Sequence, residues 1–159
     1  MSTSNDELIM LRHKLHQGPE LSGEEKNTAT LFYEKLKELS PDELYSNLGG
    51  FGVAAVFSGK KSGPTILFRT ELDALPIDEI LDIPYRSAIK GISHKCGHDG
   101  HMAIIFGLAQ DIAKKRPTCG RVIILFQPAE ETGEGARAIV NDPQFSKLVP
   151  DYCFALHNL

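Results

Sequence analysis

The chain contains no tryptophan and only three cysteines in 159 residues. So small and odd a number leaves no disulfide framework and points to a reducing cytoplasm. Nowhere does an apolar run approach the ~20 residues that a bilayer-spanning helix needs, so no membrane is expected as a partner. The opening MSTSNDELIM lacks a basic stretch ahead of an apolar one and does not read as a secretion signal. Positive charge is also short, with 17 Lys and Arg against 21 Asp and Glu for a formal net charge of -4. The basic residues are scattered and form no stripe with aromatics, which argues against nucleic acid. Internal repeats and low-complexity segments are lacking too. What remains, at 42% hydrophobic, is material for one ordinary core.

Against that background one stretch stands out. Ser93 to Met102, SHKCGHDGHM, gathers three histidines, a cysteine and an aspartate. Cys96 and His98 are separated only by Gly97, so both side chains can turn to one side and reach a single metal ion. The bland alternative is a polar loop rich in histidine. The following HMAIIFGLAQDIAKKR reads as a buried helix with Asp99 as its cap and basic residues in its last turn. Cys96 and His98 would then lie at a loop-to-helix junction, where backbone amides favour a thiolate.

Helices and short apolar strands alternate along the rest of the chain, which predicts an α/β layered domain with a mixed sheet. Asn5 or Asp6 caps a first helix carrying Leu8, Leu11 and Leu15, ending near Gly18 and Pro19. Ser22 and Glu25 have the spacing of a capping box for a second, with Ala29, Phe32, Leu36 and Leu39 as its buried stripe and Pro41 as its stop. His13 and His16 read as ordinary helix-surface or boundary histidines. Val53 to Phe57 and Thr65 to Phe68 are short strands joined through a hairpin region, and the second runs into Glu71 and Asp73. Ligand sites in α/β sheets lie beyond the carboxyl ends of strands, where these two carboxylates sit, although a solvated strand end is equally consistent. Pro76 and Pro84 bracket a long connection.

GRVIILFQ, Gly120 to Gln127, is apolar throughout and predicts the central strand. It ends in Pro128, Ala129, Glu130 and Glu131. From an extended backbone two adjacent carboxylates point opposite ways, so one can bind metal while its neighbour faces a water beside it. That division suits metal-assisted hydrolysis, in which a free carboxylate moves the proton. A short helix follows over 137–140, and a last strand, Tyr152 to Leu156, delivers His157.

Taken together, LRHKLH at 11–16 with Pro19-Glu20-Leu21, Asp73-Ala74-Leu75-Pro76-Ile77, Cys96-Gly97-His98-Asp99-Gly100-His101, Gln127-Pro128-Ala129-Glu130-Glu131 and Ala155-Leu156-His157 resemble one family. It is the hippurate hydrolase branch of the aminoacylase and carboxypeptidase metal amidohydrolases, which includes hydrolases of auxin conjugates and of N-acetylated amino acids. The resemblance implies a three-layer metallopeptidase-like catalytic domain and hydrolysis of the amide bond of an N-acyl amino acid or related small amide. By the same resemblance Cys96, His98, Glu131 and His157 are metal ligands, Glu130 is the general base and Asp73 orients a ligand histidine. One or two divalent ions are implied, with zinc, manganese, nickel and cobalt all compatible with such a donor set.

This chain departs from that pattern in two places. Thr70 and Glu71 stand where the branch usually has Ala-Asp, and Lys95 stands where alanine usually precedes the cysteine. Family members are also more than twice as long. The resemblance therefore implies that residues 1–159 are the N-terminal part of a catalytic domain, a fragment or the product of an interrupted gene. The lid and dimerisation domain, through which full-length relatives are homo-oligomeric, and the C-terminal catalytic segment would be absent, leaving weak metal binding and little turnover. Two rivals stay open: a cysteine hydrolase with Cys96 as nucleophile and His98 or His94 as base, and a non-catalytic remnant acting as a metal-binding or interaction module.

Overall fold

The structure, a computed structural model, describes residues 5–158. Five strands form one sheet in the order β1-β2-β4-β3-β5: β1 (Glu43–Leu48), β2 (Gly52–Ser58), β3 (Lys61–Glu71), β4 (Cys119–Gln127) and β5 (Tyr152–Ala155). Strand β2 runs antiparallel to both of its neighbours, β1 and β4, whereas β3 runs parallel to both β4 and β5. The sheet is thus mixed, as expected, with GRVIILFQ on its central strand.

Alternation along β2 and β4 explains the layering, because successive side chains leave a strand on opposite faces. Val53, Ala55, Phe57, Ile124 and Phe126 face one core, shared with α1 (Asn5–Gln17), α2 (Lys26–Glu38) and α3 (His98–Lys114). Ala54, Val56, Ile123 and Leu125 face a smaller second core with Leu67, Ile139 and Leu148, closed by α4 (Gly135–Val140) and a 3-10 turn, Pro143–Lys147. Three layers result. Phe32 of α2 stacks on Phe126 with ring centroids 4.1 Å apart, fixing the helical layer over the middle of the sheet. Among the described residues no helix is long and apolar enough to cross a membrane.

Several local expectations are corrected. β1 was not anticipated, because ELYSNL is only partly buried and its apolar pattern is weak. α2 begins at Lys26; the side chain of Glu25 does not cap it, and the amides of Asn27 and Thr28 donate instead to the Glu20 carboxylate at 3.1 and 2.7 Å. Ser22 and Glu25, which resemble a capping box in sequence, instead direct their side chains to Asp73 and Ala129. Gly97, not Asp99, precedes the first residue of α3, at φ 79°, a left-handed conformation that glycine adopts without a Cβ penalty. β5 forms the open edge, exposed along its whole length, and Phe154 stacks on Phe68 with centroids 5.4 Å apart.

Candidate metal centre

The site forms where the carboxyl ends of β3 and β4 meet the N-terminus of α3, the location general to α/β sheets. β3 delivers Glu71 and then Asp73, both buried; β4 delivers the turn carrying Glu130 and Glu131. Residues 72–97 cross the surface without regular structure apart from isolated bridges and bring Cys96 to the head of α3.

Donor atoms of Cys96, His98 and Glu131 all lie within 4.8 Å of one another. His98 Nε2 is 3.7 Å from Glu130 Oε2 and 3.7 Å from Glu131 Oε1. The two glutamates therefore converge, contrary to the expectation that they diverge from an extended backbone. The backbone is not extended there: Ala129 has φ 48° and the chain turns through 130–133. The pair differs instead in surroundings. Glu130 is the more exposed, 35% against 20%, and lies 3.8 Å from Arg69.

On its other nitrogen, His98 Nδ1 donates to the backbone carbonyl of Asp73 at 2.8 Å and lies 3.6 Å from its carboxylate. A ring held this way presents Nε2 to a ligand, the usual arrangement of a metal-binding histidine. Burial alone would lower the basicity of His98, but the Asp73 carboxylate and carbonyl and the charge of Glu71 outweigh it and raise the pKa. Asp73 accepts from Ser22 Oγ at 2.6 Å and from the Glu131 amide at 3.0 Å. Burial pushes this carboxyl upward, but the nearby His98 ring, the Ser22 hydroxyl and the Glu131 and Glu130 amides prevail and hold it at about 2.

In the metal-free protein the Cys96 thiolate is disfavoured. A hydrogen bond with Glu131, then burial, then the charges of Glu131, Glu130 and Asp73 push its thiol up to about 11. The acidic turn dominates over the amides of α3. This chemistry fits a divalent cation. Tetrahedral ligands at ~2.1 Å place donors roughly 3.4 Å apart, close to the 3.7 Å observed between His98 and the carboxylates. Glu131 Oε1 is buried without a hydrogen-bond partner, a position that a cation would satisfy.

His157 is exposed and falls outside both donor groups found among the described residues. Its neighbour Asn158 nevertheless packs against Gly97, 3.4 Å from where a Cβ would stand. The terminal segment thus passes the rim of the site without turning the imidazole into it.

With this geometry in place, comparison with known proteins is decisive: residues 67–159 match the model of peptidase family M20/M25/M40. The chain belongs to that family. It is 39% identical to a hippurate hydrolase of Campylobacter jejuni over 153 residues, covering 96% of this chain and 39% of that protein. It is 40% identical to an N-acetyl-L-cysteine deacetylase of Bacillus subtilis over 163 residues, covering 99% and 38% respectively. A crystal structure of a dinuclear metal binding peptidase of the M20 family from Bacillus subtilis superposes with a TM-score of 0.88 at 36% identity, over 97% of this chain and 43% of that one. The chain thus spans about 40% of the length of the curated relatives it matches.

Sequence reasoning left several groups around this M20 site without a role or misread them. Glu71, His98 and His101 form a second set of donors within 4.8 Å. Both oxygens of Glu71 are already engaged, however, one by Arg69 at 2.5 Å and the other by His101 Nδ1 at 3.0 Å. The adjacent guanidinium makes that spot poor for a cation. Arg69 also donates to Gln127 Oε1 at 2.9 Å, so it ties the ends of β3 and β4 together beneath Glu130. His16, read as an ordinary surface or boundary histidine, is buried between two carboxylates, 2.9 Å from Asp99 Oδ2 and 2.7 Å from Glu79 Oε2. Arg12 joins Asp99 and Lys95 joins Glu79, so the long loop is clamped to α1 and α3 just before Cys96. His13 stacks on Tyr85 of the same loop, centroids 3.8 Å apart. The only signal in sequence was the clustering of LRHKLH within a single helix.

Proposed function

We propose that this chain is the N-terminal part of the catalytic domain of a metal-dependent amidohydrolase that cleaves the amide bond of N-acyl amino acids or related small amides. The observation that carries the reading is the convergence of Cys96, His98 and Glu131 beside a second carboxylate, Glu130. Relatives named as a hippurate hydrolase and as deacetylases of N-acetyl-L-cysteine and N-acetyldiaminopimelate support an N-acylated amino acid as substrate. In this reading Cys96, His98 and Glu131 hold the ion, His157 turns inward as a further ligand, and Asp73 keeps His98 oriented. Zinc, manganese, nickel and cobalt all suit these donors, as one ion or two. When bound, the metal supplies Lewis acidity toward a water and the scissile carbonyl. Glu130, held near Arg69 at the more open side, takes the water's proton and passes it to the leaving nitrogen. The lid and dimerisation domain and the C-terminal catalytic segment of a full-length, homo-oligomeric cytoplasmic enzyme lie outside these residues. The chain alone therefore binds metal weakly and turns over little.

The test is elemental mass spectrometry on chain equilibrated with zinc or manganese after chelator-free purification. The wild type and Glu130→Gln are expected to retain at least one ion, and Cys96→Ala and Glu131→Gln to lose it. Loss in Glu130→Gln with retention in Glu131→Gln would exchange the two glutamates, and a folded wild type without metal would sink the reading. Exposure of Tyr152 and Phe154 along the open β5 edge favours one second reading, a non-catalytic interaction module. Self-association that depends on concentration but not on metal would favour it.

A further inference from the structure

The acidic turn is held in place from the far end of the sequence. Glu25, in the connection between α1 and α2, is fully buried. Its Oε1 accepts the backbone N–H of Ala129 at 2.7 Å, across 104 positions of sequence. Ala129 occupies the left-handed region at φ 48°, which a residue with a Cβ enters only when its surroundings over-determine it. Three contacts do so: Glu25 holds its N–H, and its carbonyl accepts from the Gly135 amide at 3.0 Å and from the Thr132 hydroxyl at 3.3 Å. Two residues further on, the Glu131 amide is fixed by Asp73, which Ser22 of the same α1–α2 connection also contacts. The connection thus serves as a pedestal for the turn.

We propose that Glu25 is a positioning residue for the acidic turn: its carboxyl group holds Ala129 in the left-handed conformation and thereby aims Glu130 and Glu131 at His98. The hydrogen bond to Ala129 requires an acceptor at Oε1 and no charge. Oε2 is buried without a partner, as is Asp73 Oδ1. Burial, together with the nearby charge of Asp73, raises the Glu25 carboxyl above its ordinary range, against the backbone groups of Ala129, Glu25 and Gly23 that lower it. A neutral carboxylic acid accepts at one oxygen and donates from the other, and a glutamine side chain has the same shape and the same two capacities. Glutamine is therefore expected to replace Glu25, whereas alanine lacks the acceptor and aspartate falls a methylene short.

Two readouts on the full chain test this, and only the second rests on the metal-site reading above. Amide hydrogen exchange is followed at Ala129, with Ile124 of β4 as the internal reference for global opening. Relative to Ile124, Ala129 is expected to exchange at least ~10-fold faster in Glu25→Ala and Glu25→Asp and within about 3-fold of wild type in Glu25→Gln. Titration with Co2+, read by its visible absorption, is expected to weaken ~10–100-fold with altered bands in the alanine and aspartate variants, the usual consequence of removing a group that orients ligands. Glutamine is expected to restore both affinity and spectrum. Unchanged Ala129 exchange in the alanine and aspartate variants would overturn the proposal, as would unchanged Co2+ binding. If the alanine variant fails to fold, aspartate and glutamine decide by the same criteria. A wild type that binds no Co2+ counts against the metal site alone, and the exchange of Ala129 then judges Glu25.

Discussion

Replacing Asp73 with asparagine should destabilise the metal-free chain by an amount that depends on pH. Asp73 is fully buried, and the nearby His98 ring, the Ser22 hydroxyl and the Glu131 and Glu130 amides outweigh burial and lower its carboxyl from 3.8 to about 2. A carboxyl depressed in the native state contributes stability above its unfolded value, and that contribution disappears as pH falls through the native one. At ~1.36 kcal/mol per unit, the ionised group contributes roughly 2 kcal/mol above pH 5, about half of that at pH 3 and little at pH 2. Asparagine still accepts from Ser22 and from the Glu131 amide, so the part of the difference that varies with pH isolates the charge. Urea denaturation of both proteins with chelator present, at pH 7, 5, 4 and 3, measures it. The pH-dependent part of the gap should shrink by roughly half, about 1 kcal/mol, between pH 5 and pH 3. A gap that stays constant over that range would refute the reasoning, because it would mean that shape, and not the ionised carboxylate, is what the site requires.

Cys96 should alkylate slowly in metal-free protein. With its thiol pushed up from 9.0 to about 11, its thiolate fraction at pH 8 is ~100-fold below that of an ordinary cysteine, and the iodoacetamide rate of a Cys119→Ser, Cys153→Ser variant should fall accordingly; a rate equal to that of a small-molecule thiol would rule out the Glu131 contact. In the core, Phe126→Ala removes a fully buried ring stacked on Phe32 and should cost ~3–5 kcal/mol. Urea midpoints should drop with little change in slope, and a loss below ~1 kcal/mol would mean that the helical layer repacks over the sheet.

What could be read in the sequence follows from the range of the interactions involved. The central strand was legible because Ile123, Ile124, Leu125 and Phe126 are buried whichever face they take, so an unbroken apolar run can mean little else. α1 and α2 were legible from their apolar spacing, and Cys96 with His98 from their separation by a single residue. β1 was not, since half-exposed edge strands carry little pattern. The partners of Ser22, Glu25, His16 and Asp99 were also hidden. Local rules assigned Ser22 and Glu25 to a cap and Asp99 to another because capping is decided within four residues, whereas their actual contacts lie 51, 104 and 83 or more positions away. A polar residue with a plausible local use gives no sign in sequence that a distant buried group has claimed it.

The same long-range assembly explains why the site is so acidic. Asp73, Glu130 and Glu131 arrive from two strand ends, and Arg69 is the cation that reaches Glu130. Glu131, Glu130 and Asp73 push the Cys96 thiol up, and Asp73 together with Glu71 raises His98, so Asp73 contributes to both shifts. Both run against what ligation needs, a thiolate and a neutral imidazole. Divalent positive charge between these donors reverses both at once, because it offsets the carboxylates and stabilises the thiolate directly. Glu71 shows the contrast within the same few ångströms: it meets Arg69 and His101, its two oxygens are matched, and nothing further is required of it. Electrostatics therefore separates the two donor groups that share His98, leaving the Cys96 side as the one suited to metal.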